Sequence, residues 1–130
     1  MRKVLGTLAG VVVAVITITL VELIGHRVYP APAGLDLTPE GVARYLESAP
    51  AGAMIAVVLG WFAGALLGGW TALAITRWSV APWIIAGLIA AAGIYNATQI
   101  PAPLWMQVAT VLAPALGGWL ALHLGRRTPA

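Results

Sequence analysis

Four long apolar stretches alternate with short polar segments along this chain. They cover residues 4–28, 52–75, 80–98 and 104–124, and each is long enough to cross a hydrocarbon core as a helix of about 20 residues. The first stretch is rich in β-branched residues, which would favour a strand in water. In lipid, a helix satisfies its own backbone hydrogen bonds and is therefore the expected structure. The pattern predicts an all-α integral membrane four-helix bundle.

Residues 29–51 form the long loop after the first span. Thr38-Pro39-Glu40 is typical of a helix start, with Thr38 as the N-cap and Pro39 as the first helical residue. We expect a short extra helix over residues 39–48, lying on the membrane surface or over the mouth of the bundle. The favoured interpretation of this loop is a structural connector.

Composition supports the membrane assignment. Of the 130 residues, 61% are hydrophobic and 8% are charged, whereas a soluble domain has roughly 25% charged residues. The length predicts a single transmembrane domain over residues 1–130. We expect membrane lipids to be its partners. The net charge of +3 does not indicate nucleic-acid binding, because the basic residues lie at helix ends rather than in a patch.

The basic residues also predict the orientation. With four crossings, one side of the membrane receives Arg2, Lys3, Arg77, Arg126 and Arg127, and the other side holds Arg27 and Arg44 alongside the acidic Asp36, Glu40 and Glu47. The positive-inside rule then places both termini in the cytoplasm, in a membrane expected to be the bacterial cytoplasmic membrane. The first apolar run is longer than the roughly 7–15 residues of a signal peptide, so we expect it to be retained.

A segment of the second span recurs in the fourth. Gly68-Gly69-Trp70-Thr71-Ala72-Leu73 matches Gly117-Gly118-Trp119-Leu120-Ala121-Leu122 at an offset of 49, which also carries Arg77 onto Arg126. The first and third spans both run into Pro-Ala-Pro, at residues 30–32 and 101–103. These landmarks predict two helical hairpins related as a parallel repeat, with a pseudo-two-fold axis along the membrane normal. Chance similarity between Gly- and Ala-rich helices is the alternative.

The second and fourth spans also carry small residues at every fourth position, which places each row on one helix face. The rows include Gly60, Gly64, Gly68, Ala109, Ala113 and Gly117. Because lipid provides no hydrophobic drive for association, close backbone approach has to supply the attraction. The rows predict tight helix contacts, either between these two spans or between chains, in a homo-oligomer or with a partner membrane subunit.

Polar side chains gather near the outer ends of three spans. They are Glu22, His26, Asn96, Gln99 and Gln107. An ionisable group within the membrane usually faces a bundle interior or a hydrated cavity. One interpretation is a small hydrated site in which Glu22 takes up protons or a cation and His26 tunes it. The other is that Glu22 and His26 pair while the amides cap or cross-link helix ends.

Several kinds of chemistry are disfavoured. The chain has no cysteine, which excludes disulfides, thiolate metal sites and cysteine nucleophiles. Glu22 and His26 lack the third protein ligand of a standard zinc site, and His123 falls at the opposite membrane face. No Ser–His–acid set is evident in the sequence. We therefore expect no metal and no cofactor, and the sequence leans against an enzyme.

The segment Val21-Glu22-Leu23-Ile24-Gly25 resembles the first-helix Glu-x-x-Gly segment of small multidrug resistance transporters, which are also four-helix proteins of about this length. In that family the glutamate lies near mid-membrane and the first loop is short. Here Glu22 lies near the outer end of its span and the loop is long. Because the likeness covers five residues, we do not assign the chain to this family.

Three functions remain. An accessory or interaction subunit that associates through glycine-rich helix faces ranks first, and a small oligomeric transporter or channel using Glu22 and His26 ranks close behind. A lipid-binding protein or enzyme at the outer leaflet ranks third. A cavity walled by Glu22, Asn96 and Gln107 would favour transport or binding, whereas a closed bundle with an exposed glycine face would favour partner association.

Overall fold

The computed structural model describes residues 1–30, 34, 38–48, 51–99 and 104–127. Within these ranges the chain forms helices and no strand. The helices are α1 (Arg2–Val28), α2 (Pro39–Ser48), α3 (Ala51–Thr76), α4 (Ala81–Gln99) and α5 (Leu104–Arg127). The Pro-Ala-Pro segments fall outside the described residues except for Pro30, as do the side chains of Arg126 and Arg127.

Helices α1, α3, α4 and α5 are long and apolar enough to cross a membrane. They begin and end within three residues of the predicted spans, and α2 occupies the residues of the predicted short helix. The expected N-cap of α2 is confirmed, because the Gly41 N–H donates to Thr38 Oγ1 at 3.2 Å. The chain is therefore an all-helical protein with four candidate spans and one short helix between the first two.

The bundle buries small side chains and exposes large apolar ones. Ala65, Ala72 and Ala121 are fully buried, whereas the side chains that are more than half exposed include Leu8, Val12, Leu112 and Leu116. A soluble monomer rarely exposes apolar surface on this scale. Lipid is as apolar as leucine, so such side chains are at no disadvantage there. The natural solvent of the four long helices is lipid, and the chain is a multi-pass membrane protein.

Helix α3 is central and packs against all three other long helices. Its row of glycines faces α1. A Cβ added at Gly64 would come within 2.6 Å of Ile18 Cγ1, and one added at Gly68 within 2.6 Å of the Gly10 carbonyl oxygen and 2.7 Å of Ala14 Cβ. Glycine is required at Gly68, because the nearest atom there belongs to the backbone of α1.

The small residues of α5 pack on a different face of α3. A Cβ added at Gly117 would come within 2.6 Å of the Phe62 carbonyl oxygen, and Ala121 lies against Gly69. Ala113 is buried and Ala109 is half-buried. The second and fourth spans are therefore in contact. Only the row of small residues on α5 takes part, because the row of small residues on α3 is covered by α1.

One end of the bundle, here called the basic end, joins the start of α1 to the turn between α3 and α4. Arg2 Nε donates to the Ile75 carbonyl at 2.5 Å, and carbonyls at a helix C-terminus attract cations. Lys3 Nζ lies 4.8 Å from the centre of the Trp78 ring, within cation–π range. The opposite end, where α1 ends at Val28 and the chain continues into α2, is called the loop end.

Candidate functional site

A groove opens between α1 and α4, which pack together in a cluster near the basic end. There Ala14 of α1, Ala72 of α3, and Ala81 and Ile85 of α4 form a packed cluster. Over the whole bundle, α1 packs mainly on α3 and α4 mainly on α5, and α1 and α4 share few contacts with each other.

The contacts near the loop end show how the two helices part. On α1, Val21 lies against Gly60 of α3, and Gly25 lies against Ala56 of the same helix. On α4, Gly93 lies against Thr110 of α5. The walls of the groove are thus held by α3 and α5.

The groove has a volume of about 250 Å³. Its lining runs over residues 11–22 of α1 and 85–96 of α4, with Trp61 as the contribution of α3. Eleven residue steps at 1.5 Å each make it about 16 Å long. Val15 on one wall is 57% exposed and Leu88 on the other is 52% exposed. The groove therefore opens sideways, toward the surrounding lipid.

Two polar side chains, Glu22 and Asn96, lie at the loop end of this otherwise mostly apolar groove. Glu22 is half-buried and Asn96 is exposed. Within the described part of the chain, neither side chain has a hydrogen bond or an ion pair. A carboxylate without a partner at membrane depth is costly. A cation or a hydrogen-bond donor placed beside it would reduce that cost.

The other three predicted site residues do not line the groove. His26 is exposed one turn beyond Glu22, and no ion pair joins the two in the residues that the structure describes. Gln99 Nε2 donates to Thr98 Oγ1 at 3.3 Å. Gln107 lies on α5, where its backbone carbonyl accepts a hydrogen bond from Thr110 Oγ1 at 2.5 Å. Glu22 and Asn96 therefore line the same end of the groove, whereas His26, Gln99 and Gln107 lie outside its lining.

The apolar lining was missed by sequence reasoning. Side chains such as Val15, Ile18 and Leu88 cannot be distinguished by sequence from those that simply face lipid. Trp61 offered a signal, because tryptophans of membrane proteins gather at the interfaces, whereas Trp61 lies ten residues into a span of 26. A tryptophan at mid-membrane depth favours a special packing role.

Groups of three or more histidine, aspartate or glutamate side chains suited to a metal ion are absent from the described ranges. His123 instead packs edge-on against Trp119, with the ring centres 4.3 Å apart. Comparison of the chain with protein-family models, curated proteins and solved structures found no match. The groove is therefore the feature of the molecule from which a function can be inferred.

Proposed function

We propose that this protein binds a membrane lipid, with one acyl chain in the groove between α1 and α4 and the headgroup beside Glu22 and Asn96. The observation that carries the proposal is the shape of the groove, which is apolar along its length, open to the side and polar at one end. Its volume of about 250 Å³ is below the roughly 300–1,000 Å³ of sites for drug-sized ligands. A single hydrocarbon chain suits this space better than a bulky ring system.

Physical chemistry requires the groove to be filled. An empty gap at membrane depth would forfeit the dispersion contacts of the side chains around it. The occupant is either an acyl chain or the helix of another protein. Glu22 and Asn96 favour the lipid, because a lipid carries a polar headgroup at the level where its chain begins, whereas a spanning helix presents mostly apolar side chains there.

An accessory subunit that associates through its glycine faces is now a weaker proposal. Gly60, Gly64 and Gly68 are buried, and their neighbours are residues of α1. Gly117 is likewise buried against α3. A partner helix would have to displace α1 or α5 to reach these faces, so association with a partner subunit or a second copy would use other surfaces.

A transporter remains the alternative proposal. The groove ends toward the basic end at the cluster of Ala14, Ala72, Ala81 and Ile85. Movement of a substrate across the membrane would require this cluster to open. Lipid binding needs no such rearrangement, and it is therefore the simpler function.

The basic residues give the proposed orientation. We place the basic end in the cytoplasm, because Arg2, Lys3 and Arg77 lie there and cytoplasmic loops carry an excess of such residues. The polar end of the groove then lies in the outer leaflet of the membrane, which we take to be the bacterial cytoplasmic membrane.

We also propose that the α1–α3 and α4–α5 hairpins are copies of one parallel repeat. The central contact between α3 and α5 supports this, since a two-fold axis along the normal would pair the equivalent second helices. The two hairpins differ in how the first helix of each packs against the other hairpin. Helix α4 packs on α3, whereas α1 makes no comparable contact with α5 among the described residues.

A pair of neighbouring substitutions tests lipid binding. Ala92 lines the groove, whereas Ala91 is exposed next to it and lies outside the lining. We expect the wild type and the Ala91→Trp variant to retain a bound lipid when released from mild detergent in a native mass spectrometer. The Ala92→Trp variant should lose it, because the indole occupies the space of the acyl chain.

Gel filtration provides the control for this experiment, since both variants should elute as folded protein. Equal lipid retention by the two variants would refute the proposal. A change of oligomeric state in Ala92→Trp alone would instead indicate that the groove receives a helix of a second copy.

A further inference from the structure

We infer that the groove selects a phospholipid whose headgroup carries a primary ammonium. This inference rests on the proposed lipid binding and adds the identity of the headgroup. The observation behind it is the presence of one acidic and one amide side chain at the loop end of the groove, with no basic residue among the described residues of the lining.

Glu22 and Asn96 lie at a depth that matches the border between the hydrocarbon core and the lipid headgroups. α1 has 27 residues and is thus about 40 Å long, roughly 10 Å more than the hydrocarbon core. Glu22 lies six residues before the helix end at Val28 and Asn96 three residues before the end of α4 at Gln99. These separations are about 9 Å and 5 Å along the helix axes, so both side chains reach the level where a lipid headgroup begins.

Charge complementarity selects a cation. Among the described residues of the lining, Glu22 is the only ionisable side chain. His26 and Arg27, the basic side chains nearest to it along α1, are exposed, and neither forms an ion pair with Glu22 within the described part of the chain. A lipid ammonium group at this level would compensate the charge of the carboxylate directly. A headgroup with only negative charge would be repelled.

Hydrogen-bonding capacity separates a primary from a quaternary ammonium. A primary ammonium has three N–H donors, and the Glu22 carboxylate and the Asn96 side-chain carbonyl together offer acceptors for them. A quaternary ammonium has the charge but no N–H donor. The Asn96 amide N–H₂ group is then available to donate to a phosphate or ester oxygen of the same lipid.

The opposite end of the molecule has the reverse character. Arg2, Lys3 and Arg77 are exposed at the basic end, where they suit anionic headgroups. General attraction of the protein to lipids, with its net charge of +3, would therefore favour anionic lipids. A preference for an ammonium headgroup would have to come from the groove.

The test is a competition between headgroups with matched acyl chains. The full chain is reconstituted into nanodiscs with equal amounts of phosphatidylethanolamine, phosphatidylcholine and phosphatidylglycerol, and retained lipid is identified by native mass spectrometry. We expect phosphatidylethanolamine to be enriched roughly fivefold over each of the others, because charge-assisted hydrogen bonds are the stronger class. The Glu22→Gln variant should still bind one lipid but lose this preference.

The matched control is Glu40→Gln, which removes an exposed carboxylate of α2 and should keep the preference. Binding of lipid without headgroup preference, or an unchanged preference in Glu22→Gln, would overturn the inference while leaving lipid binding intact. If phosphatidylcholine were retained as well as phosphatidylethanolamine, the positive charge alone would explain the binding. That result would also overturn the inference. Retention of no lipid by any variant would overturn the proposed function as well.

Discussion

Arg77, the residue that follows α3, has a backbone conformation that glycine usually occupies. Its φ angle is 54°, and its N–H donates to the Leu73 carbonyl at 2.7 Å. For a residue with a side chain, the left-handed conformation costs roughly 1–2 kcal/mol. An arginine at this position places a cation in the turn between α3 and α4, at the end where Arg2 and Lys3 also lie. Orientation in the membrane is a physical reason to retain it despite the strain.

Two substitutions separate the strain at Arg77 from its charge. Arg77→Gly removes both, whereas Arg77→Ala removes only the charge. We expect Arg77→Gly to be more stable than Arg77→Ala by about 1 kcal/mol, measured as the free energy of unfolding in mixed micelles by circular dichroism. Equal stabilities would contradict the left-handed conformation at this residue.

At the residue scale, the sequence revealed the polar part of the candidate site and not the apolar part. Glu22 and Asn96 stand out because polar residues within spans are rare. Ile18 and Leu88 do not, since valine, leucine and isoleucine are the ordinary residues of a lipid-facing surface. His26 has the right spacing to share a helix face with Glu22, but the groove ends before it reaches that residue.

At the element scale, the contact between α1 and α3 depends on where a Cβ has room. At Gly68 a Cβ would meet the Gly10 carbonyl oxygen at 2.6 Å, and backbone atoms cannot move aside without separating the helices. At Gly64 it would meet atoms of the Ile18 side chain, which can rotate. At Gly60 the nearest atom is Val21 Cγ1 at 3.5 Å, an ordinary van der Waals distance. The three glycines of this row therefore differ in the space that an added Cβ would have.

Because the space for a Cβ differs, alanine substitutions at these glycines should differ in their effect on stability. Gly68→Ala should destabilise the protein by about 1–3 kcal/mol, the range for overpacking in a close contact. Gly64→Ala should cost less, and Gly60→Ala should have a negligible effect. Unfolding curves in a series of sodium dodecyl sulfate fractions measure the order. Equal losses at Gly60 and Gly68 would argue against the observed contact between α1 and α3.

Hydropathy predicted the helices well, because apolar runs of sufficient length have few alternatives in lipid. It did not predict which faces meet. The row of α3 that contains Gly64 was expected to contact the fourth span or another chain, yet it lies against α1. The first span has its own small residues, Gly6, Gly10 and Ala14, at the same spacing. When three helices carry such rows, spacing alone does not determine the pairing.

At the scale of the whole molecule, the groove is a consequence of how the helices diverge. α1 follows α3 along its length, while α4 follows α5, from Ala86 against Gly118 near the basic end to Gly93 against Thr110 near the loop end. The gap between α1 and α4 follows from these two attachments. It depends on helix tilt, which packing determines rather than the sequence of either helix alone. For this reason the sequence predicted a polar mouth but not the apolar groove below it.

Nuclear Overhauser effects between lipid and protein test whether an acyl chain occupies this groove. In a deuterated protein with protonated methyl groups, reconstituted in nanodiscs, we predict signals from acyl-chain methylenes to the methyls of Ile18 and Ile89. Both residues line the groove and are only half-buried. Signals to the exposed Leu112 and Leu116 of α5, without any to Ile18 and Ile89, would contradict the account.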